Sequence, residues 1–163
     1  MPVSDTFKLT AGKAIGRIPS GVFIVTARHG TEKTAMMASW VQQAAFDPPA
    51  VSVAMAKGRP IAELIERSQL LAISVVADGD TSLMKKYARG VKPGEDAFAG
   101  VETIATPAGV PALKQAVAWL ECRVIQTCDF GGDHDLLIAE VTAGEIVNAG
   151  QSFTHQRGSG MHY

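Results

Sequence analysis

The stretch from Ala116 to Cys128 constrains the fold more than any other part of the sequence. Ala116, Ala118, Leu120, Cys122, Val124 and Cys128 alternate there with Val117, Trp119, Glu121, Arg123, Ile125 and Thr127. A period of two puts the first set on one face of an extended chain and the second on the other. One face is almost wholly apolar and the other mixed, the pattern of a long strand with one side on a core. Gly131-Gly132 then turns the chain, and Leu136 to Val147 runs back as a second long strand, kinked near Gly144. Cys122 and Cys128 are six apart in one strand, so they are expected on the same face and about 20 Å apart, too far to bridge. They also lack the paired spacing of a zinc site, and read as buried structural thiols of a reducing compartment.

The rest of the chain supplies further strands and few helices. Thr6 to Arg17 has an imperfect helical spacing, with Asp5 as its expected N-cap, and Pro19-Ser20-Gly21 ends it. Val22 to Ala27 is a β-branched run of strand length, and after Arg28-His29-Gly30 a second strand over about Lys33 to Ala38 completes a hairpin. Ser39 to Phe46 is irregular in pattern and is closed by Asp47-Pro48-Pro49, since two prolines separate strands. Ala50 to Ala56 and Leu70 to Val76 are apolar strands on either side of a helix that starts at Pro60 and places Ile61, Leu64 and Ile65 on one face. Asp78-Gly79-Asp80-Thr81 turns and caps a helix carrying Leu83, Met84 and Tyr87, and Arg89 to Asp96 is a loop. Strands joined mainly by hairpins point to an antiparallel barrel with a few short helices outside, and against the alternating order of a doubly wound sheet.

Size and charge narrow the function classes. The 163 residues suit one domain over residues 1–163, and 47% apolar with 19% charged residues excludes disorder as the main state. Lys plus Arg is 15 against 16 for Asp plus Glu, a net charge of -1 that offers no broad attraction to nucleic acid or an anionic membrane. No apolar run reaches the roughly 20 residues of a membrane helix, and the first residues lack a secretory pattern, so a cytoplasmic protein is expected.

Familiar catalytic signatures are missing. No glycine-rich phosphate loop follows a strand, no serine sits in a nucleophile elbow, and His29, His134, His155 and His162 form no metal-binding pair, so no metal site is expected. Three features remain. His134, in Gly131-Gly132-Asp133-His134-Asp135, is either a histidine that orients a substrate or a solvated turn residue; turn composition alone favours the second. Lys57 and Arg59 precede a helix, where a cation opposes the helix dipole and calls for a compensating anion; the alternative is two solvated charges. Met36 to Gln43 gathers an indole, two amides and two thioethers, suited to a planar, partly polar ligand or to ordinary core packing.

Taken in order along the chain, these pieces resemble the flavin reductase-like family, whose fold is an FMN-binding antiparallel split β-barrel of Greek-key type. The residues that carry the resemblance are Gly21 to Ala27, Ala38-Ser39 through Phe46-Asp47-Pro48-Pro49, Gly109-Val110-Pro111-Ala112-Leu113 with Ala118 to Cys122, Gly132-Asp133-His134, Gly144 to Val147 and Arg157-Gly158. It spans about Ala14 to Tyr163. The resemblance implies that Met37, Ala38, Ser39 and Trp40 border a flavin ring, and that Lys57, assisted by Arg59, meets the FMN phosphate. It implies that His134 approaches the nicotinamide or flavin edge. Family members often carry hydroxyls where this chain has Met37, Trp40, Gln43 and Ala45, positions otherwise expected to line the cofactor. Trp40, Gln42 and Gln43 suggest a subgroup like flavoredoxins and the reductase modules of flavodiiron proteins. The implied activity is NAD(P)H:flavin oxidoreduction by a homodimer, with NADH or NADPH as donor and free flavin, iron or a partner redox protein as acceptor. The alternatives are an FMN-binding electron carrier of flavoredoxin type and, less well matched, a split-barrel oxidase of the pyridoxamine phosphate type.

Overall fold

A computed structural model describes residues 3–161; His162 and Tyr163 lie outside them. An N-terminal helical segment comprises α1 (Asp5–Phe7), a π-helical turn (Lys8–Gly12) and α2 (Lys13–Ile15). It leads to β1 (Ser20–Gly21), β2 (Phe23–His29), β3 (Glu32–Ala38), β4 (Val41–Phe46) and β5 (Pro49–Ala56). Then come α3 (Pro60–Ser68), β6 (Leu70–Val75), α4 (Thr81–Tyr87), β7 (Thr103–Ala105) and β8 (Pro111–Leu113). The long hairpin, β9 (Ala118–Asp129) and β10 (His134–Ile146), and the short β11 (Thr154–His155) complete the chain.

Seven strands form one antiparallel sheet in the order β3-β2-β6-β9-β10-β5-β4. That order puts β3 at one edge and β4 at the other, yet only Ser39 and Trp40 separate them in the chain. Consecutive Cα atoms are about 3.8 Å apart. The sheet must therefore curl until its two edges meet, and because β3 and β4 do not pair, it closes without a ladder. This is a split β-barrel. Trp40 already belongs to the far edge, its carbonyl accepting from the Ala54 N–H at 3.0 Å.

Alternation along the strands divides the apolar side chains between two cores. Val25, Val53, Leu71, Ile73, Cys122 and Leu137 fill the barrel, together with Ile61, Leu64 and Ile65 of α3. α3 starts as its sequence dictates, with Pro60 in the first turn where a missing N–H costs nothing. The second core, outside the sheet, joins Ile24, Val76 and Leu113 to Leu83 and Tyr87 of α4. Asp80 caps α4 through the N–H groups of Ser82 and Leu83.

Three buried polar residues on the outer face hold the β7–β8 segment down. Thr26 donates to the Pro111 carbonyl, Ser74 accepts from the Leu113 N–H at 2.9 Å, and Glu121 accepts from the Ala108 N–H at 2.7 Å and from Thr142 at 3.1 Å. Removing the Glu121 carboxylate leaves the Ala108 N–H without its partner, while the Thr142 hydroxyl keeps the Glu121 carbonyl at 3.2 Å. Glu121→Ala is expected to lower stability by about 2 kcal/mol in urea unfolding. A midpoint unchanged from the parent would show that the carboxylate does not hold this segment.

Several details differ from the sequence reading. Ser4, not Asp5, is the first N-cap, because its hydroxyl accepts the Phe7 N–H at 3.2 Å. Ser39 to Phe46 is mostly strand, since β5 offers Val41 to Phe46 a ladder that local pattern does not reveal. The mixed face of β9 is covered over its first part, with Trp119 and Glu121 buried and Glu121 bonded to the turn before β8, while Arg123 and Ile125 stay exposed. A bulge opposite Ile138 and Ala139 shifts the register of β9 after Val124. Cys122 consequently points into the barrel while Cys128, paired with Leu136, turns to the other face and is partly exposed. Both thiols are free.

Candidate functional site

The seam between β3 and β4 has a cavity on each side. The first, of about 110 Å³, is bordered by Met37, Ala38 and Ser39 at the end of β3, and by Arg59, Tyr87 and Gly90 across from them. β3 is a sheet edge, so half of its backbone N–H and C=O groups lack a ladder partner and face this side. Arg59 is the N-cap of α3 and, among the described residues, has no carboxylate partner. Tyr87 is held by its hydroxyl donating to the Ala97 carbonyl at 2.9 Å, and burial pushes its pKa up to about 12. It stays a neutral phenol at any physiological pH.

The second cavity, of about 280 Å³, has Ser39, Trp40 and Gln42 on one side and Ile15, Ile18 and Arg157 on the other. Its far wall is made by the two chain termini packed backbone to backbone. The Arg157 N–H donates to the Gly16 carbonyl at 2.9 Å and the Gly160 N–H to the Gly12 carbonyl at 2.7 Å. Ser20 pairs with His155 and Gly21 with Thr154. Above Trp40 the Arg157 guanidinium lies 5.4 Å from the ring centroid, a cation–π contact.

The sequence leaves His134 open between turn and site, and the structure places it on the Trp40 side of the seam. It is the first residue of β10, only 6% exposed, with its ring 4.8 Å from that of Trp40. Its Nδ1 is 2.8 Å from the Asp133 carboxylate. An Nδ1–H donating to Asp133 fixes the orientation of the imidazole ring. The same bond holds the Asp133 carboxyl below its ordinary pKa.

Lys57 follows β5, where its N–H donates to the Asp133 carbonyl at 3.0 Å. Its ammonium meets Asp129 at 2.7 Å and Asp135 at 3.7 Å, which raises its pKa chiefly through the Asp129 hydrogen bond. The compensating anion that this position calls for is thus supplied within the protein. Met37, Ala38, Ser39 and Arg59 come together at one cavity, and Ser39 and Trp40 at the other. Gln43 and Ala45 lie further along β4 and line neither. Gln42, one of the two amides of the Met36 to Gln43 stretch, lines the second cavity, and Tyr87 and Gly90 are lining residues of the first that sequence reasoning missed. Tyr87 reads as core because its spacing on α4 matches Leu83, and nothing local marks Gly90 as opposite Arg59.

A family model described as "Flavin reductase like domain" matches residues 15–160. The chain belongs to the flavin reductase-like family. As a flavin reductase-like chain, it is 40% identical over 153 residues to Diflavin flavoprotein A 1 of Synechocystis, covering 93% of this chain and 26% of that protein. A putative diflavin flavoprotein A 6 of Nostoc is 39% identical over 93% of the chain and 27% of its own length. The flavin reductase-like chain thus spans about a quarter of the curated relatives it matches. Among solved structures, the NADH:FAD oxidoreductase SgcE6 of Streptomyces globisporus superposes with a TM-score of 0.83 at 25% identity, over 96% of this chain and 93% of that one. The same split barrel recurs in a nitrilotriacetate monooxygenase component B from Mycobacterium thermoresistibile, with a TM-score of 0.82 at 22% identity over 94% and 84% of the two chains. No helix among the described residues is long and apolar enough to cross a membrane.

Proposed function

We propose that this chain is an FMN-dependent NAD(P)H oxidoreductase that passes electrons to free flavin, iron or a partner redox protein. The observation that carries the reading is Arg59, a cation without a carboxylate partner beside the free backbone edge of Met37 to Ser39. A phosphate-bearing planar ring with polar edge atoms is the ligand such a pair of features suits. When bound, a flavin supplies two-electron chemistry with nicotinamides together with one- or two-electron delivery to acceptors. The protein's part is to bind, orient and shield. Arg59 holds the phosphate, the β3 edge and Ser39 hold the ring's polar edge, and Lys57 fixes the β9–β10 turn through Asp129 and Asp135. His134, oriented by Asp133, positions the nicotinamide. Gln43 and Ala45 have no contact in this reading.

Titrating the protein with FMN and then mixing NADH or NADPH without oxygen tests the reading. Flavin binding followed by prompt bleaching supports it, and absence of binding overturns it. His134→Ala is expected to slow that bleaching roughly ten- to hundredfold with FMN affinity kept. Unchanged kinetics would return His134 to a structural role. One observation favours the alternative, an electron carrier of flavoredoxin type: His134 is buried and its ring packs on that of Trp40, which leaves little of it for a nicotinamide to meet. Bound flavin that neither nicotinamide bleaches would establish the carrier.

The reading also includes a cytoplasmic homodimer and a single domain over the whole chain.

A further inference from the structure

The β2–β3 hairpin carries two cations that the fold leaves without an acid. Arg28 and Lys33 stand directly opposite one another in the ladder. Residues so paired share a face with their Cβ atoms about 4.5–5.5 Å apart, and like charges placed there destabilise a sheet. Among the described residues neither cation has a carboxylate partner, in contrast to Lys57. The acidic residues of the neighbouring segments are engaged elsewhere. Glu32 meets Arg67 at 2.7 Å, Glu102 meets Lys114 at 2.7 Å, and Glu121 takes the Ala108 N–H at 2.7 Å.

Both cations border a cavity of about 370 Å³, together with Thr31, Thr103, Gly109 and Pro111. That volume falls within the range of small-ligand sites, about 300–1,000 Å³. The guanidinium is fixed before any ligand arrives. Its Nε donates to the Gly30 carbonyl at 2.9 Å and its Nη1 to the Gly109 carbonyl at 3.1 Å. Residue 109 has no side chain to crowd it, and a Cβ there would lie 3.1 Å from Nη1. Two of the five guanidinium N–H groups are thus used, and the remaining fork of Nη1 and Nη2 fits two oxygens of one oxyanion. The Lys33 ammonium rests 5.0 Å from the Phe98 ring centroid, and the Thr31 and Thr103 hydroxyls add neutral donors. Groups held in place in this way bind with less ordering left to be done.

We infer that this cavity is a binding site for a phosphate group, free or carried on a small polar molecule. Arg28 takes two of its oxygens and Lys33 balances the remaining charge. The bound group ties the β2–β3 hairpin to the β7–β8 segment. The site lies at the opposite end of β3 from Met37 and Ala38, and it does not rest on the proposed flavin chemistry.

Amide NMR of the full chain, titrated with inorganic phosphate at an ionic strength held constant with sodium chloride, tests it. The resonances of Thr31, Lys33, Thr103 and Gly109 are expected to shift saturably, in the parent and equally in Arg59→Ala. Arg28→Gln and Lys33→Gln are each expected to weaken that response at least about tenfold. Lys33 anchors no turn, so its variant decides the question even if loss of Arg28 loosens the chain at Gly109. Glycerol phosphate separates the two sources. Tighter binding than inorganic phosphate identifies a carried phosphate, equal or weaker binding a free one, and either supports the site. Acetate that moves the same resonances with the same affinity would reveal a general attraction for anions and overturn the inference. Shifts that never saturate, that persist in both variants, or that vanish in Arg59→Ala would overturn it as well.

Discussion

Arg59→Ala is expected to weaken FMN by about 1.5–3 kcal/mol, more than tenfold in affinity, while riboflavin binding stays as it was. The difference between the two ligands is the phosphate, so only a residue that meets it discriminates between them. Arg59 is suited to that role because its guanidinium is always charged and offers paired donors to phosphate oxygens. Lys57, two residues earlier, presents the same charge but has Asp129 at 2.7 Å and Asp135 at 3.7 Å. A phosphate there would compete with two carboxylates already in place. Lys57→Ala is therefore expected to cost FMN much less than Arg59→Ala does. Fluorescence titrations of both variants with both flavins decide this. If Arg59→Ala weakens FMN and riboflavin alike, Arg59 holds something other than the phosphate.

The second large effect is expected from a single methyl group. Gly16→Ala places a Cβ 2.7 Å from the Arg157 carbonyl oxygen and 2.9 Å from the Ser159 carbonyl carbon. Both are backbone atoms and cannot swing aside like a side-chain end. Overpacking of this kind costs about 1–3 kcal/mol, and the least anchored partner yields. That partner is the C-terminal tail, held here by the Arg157 and Gly160 N–H bonds and the two-residue β1–β11 pairing. Amide exchange at Arg157 and Gly160 is expected to quicken roughly ten- to hundredfold, with strands β6 and β9 unaffected. Trp40 fluorescence should change with it, because Arg157 leaves the ring. Retained protection at both amides would show that the termini do not interlock at Gly16.

How far the sequence alone reaches depends on whether a feature is periodic or depends on distant partners. The β9–β10 hairpin, the Asp80 cap and the Pro60 helix start are legible because period, cap chemistry and proline act over a few residues. The bulge after Val124 is not, and it moves Cys128 off the face of Cys122 with no change in composition to mark it. Strand β4 is hidden because its ladder comes from β5 and its outward residues are exposed. Glu121 looks like a solvated residue until the turn before β8 folds over it. The site divides in the same way. Met37 to Trp40, Arg59 and His134 are marked by local chemistry and by resemblance, and they do gather at the seam. The partners that decide what Lys57 is free to do lie on the neighbouring β9–β10 hairpin, 72 residues away along the chain in the case of Asp129. Tyr87 and Gly90 enter the site only because α4 packs on the outer core.

The connection from β3 to β4 has a consequence in mechanics. Strand pairing fixes the spacing between every other pair of neighbours, and only the seam is spanned by a single thread of chain. Ser39 belongs to that thread and to the walls of both cavities. The girth of the barrel and the contents of the two cavities therefore depend on one another through this residue. A ligand pressing on Ser39 from one side changes the room on the other, by way of a backbone that has almost no slack.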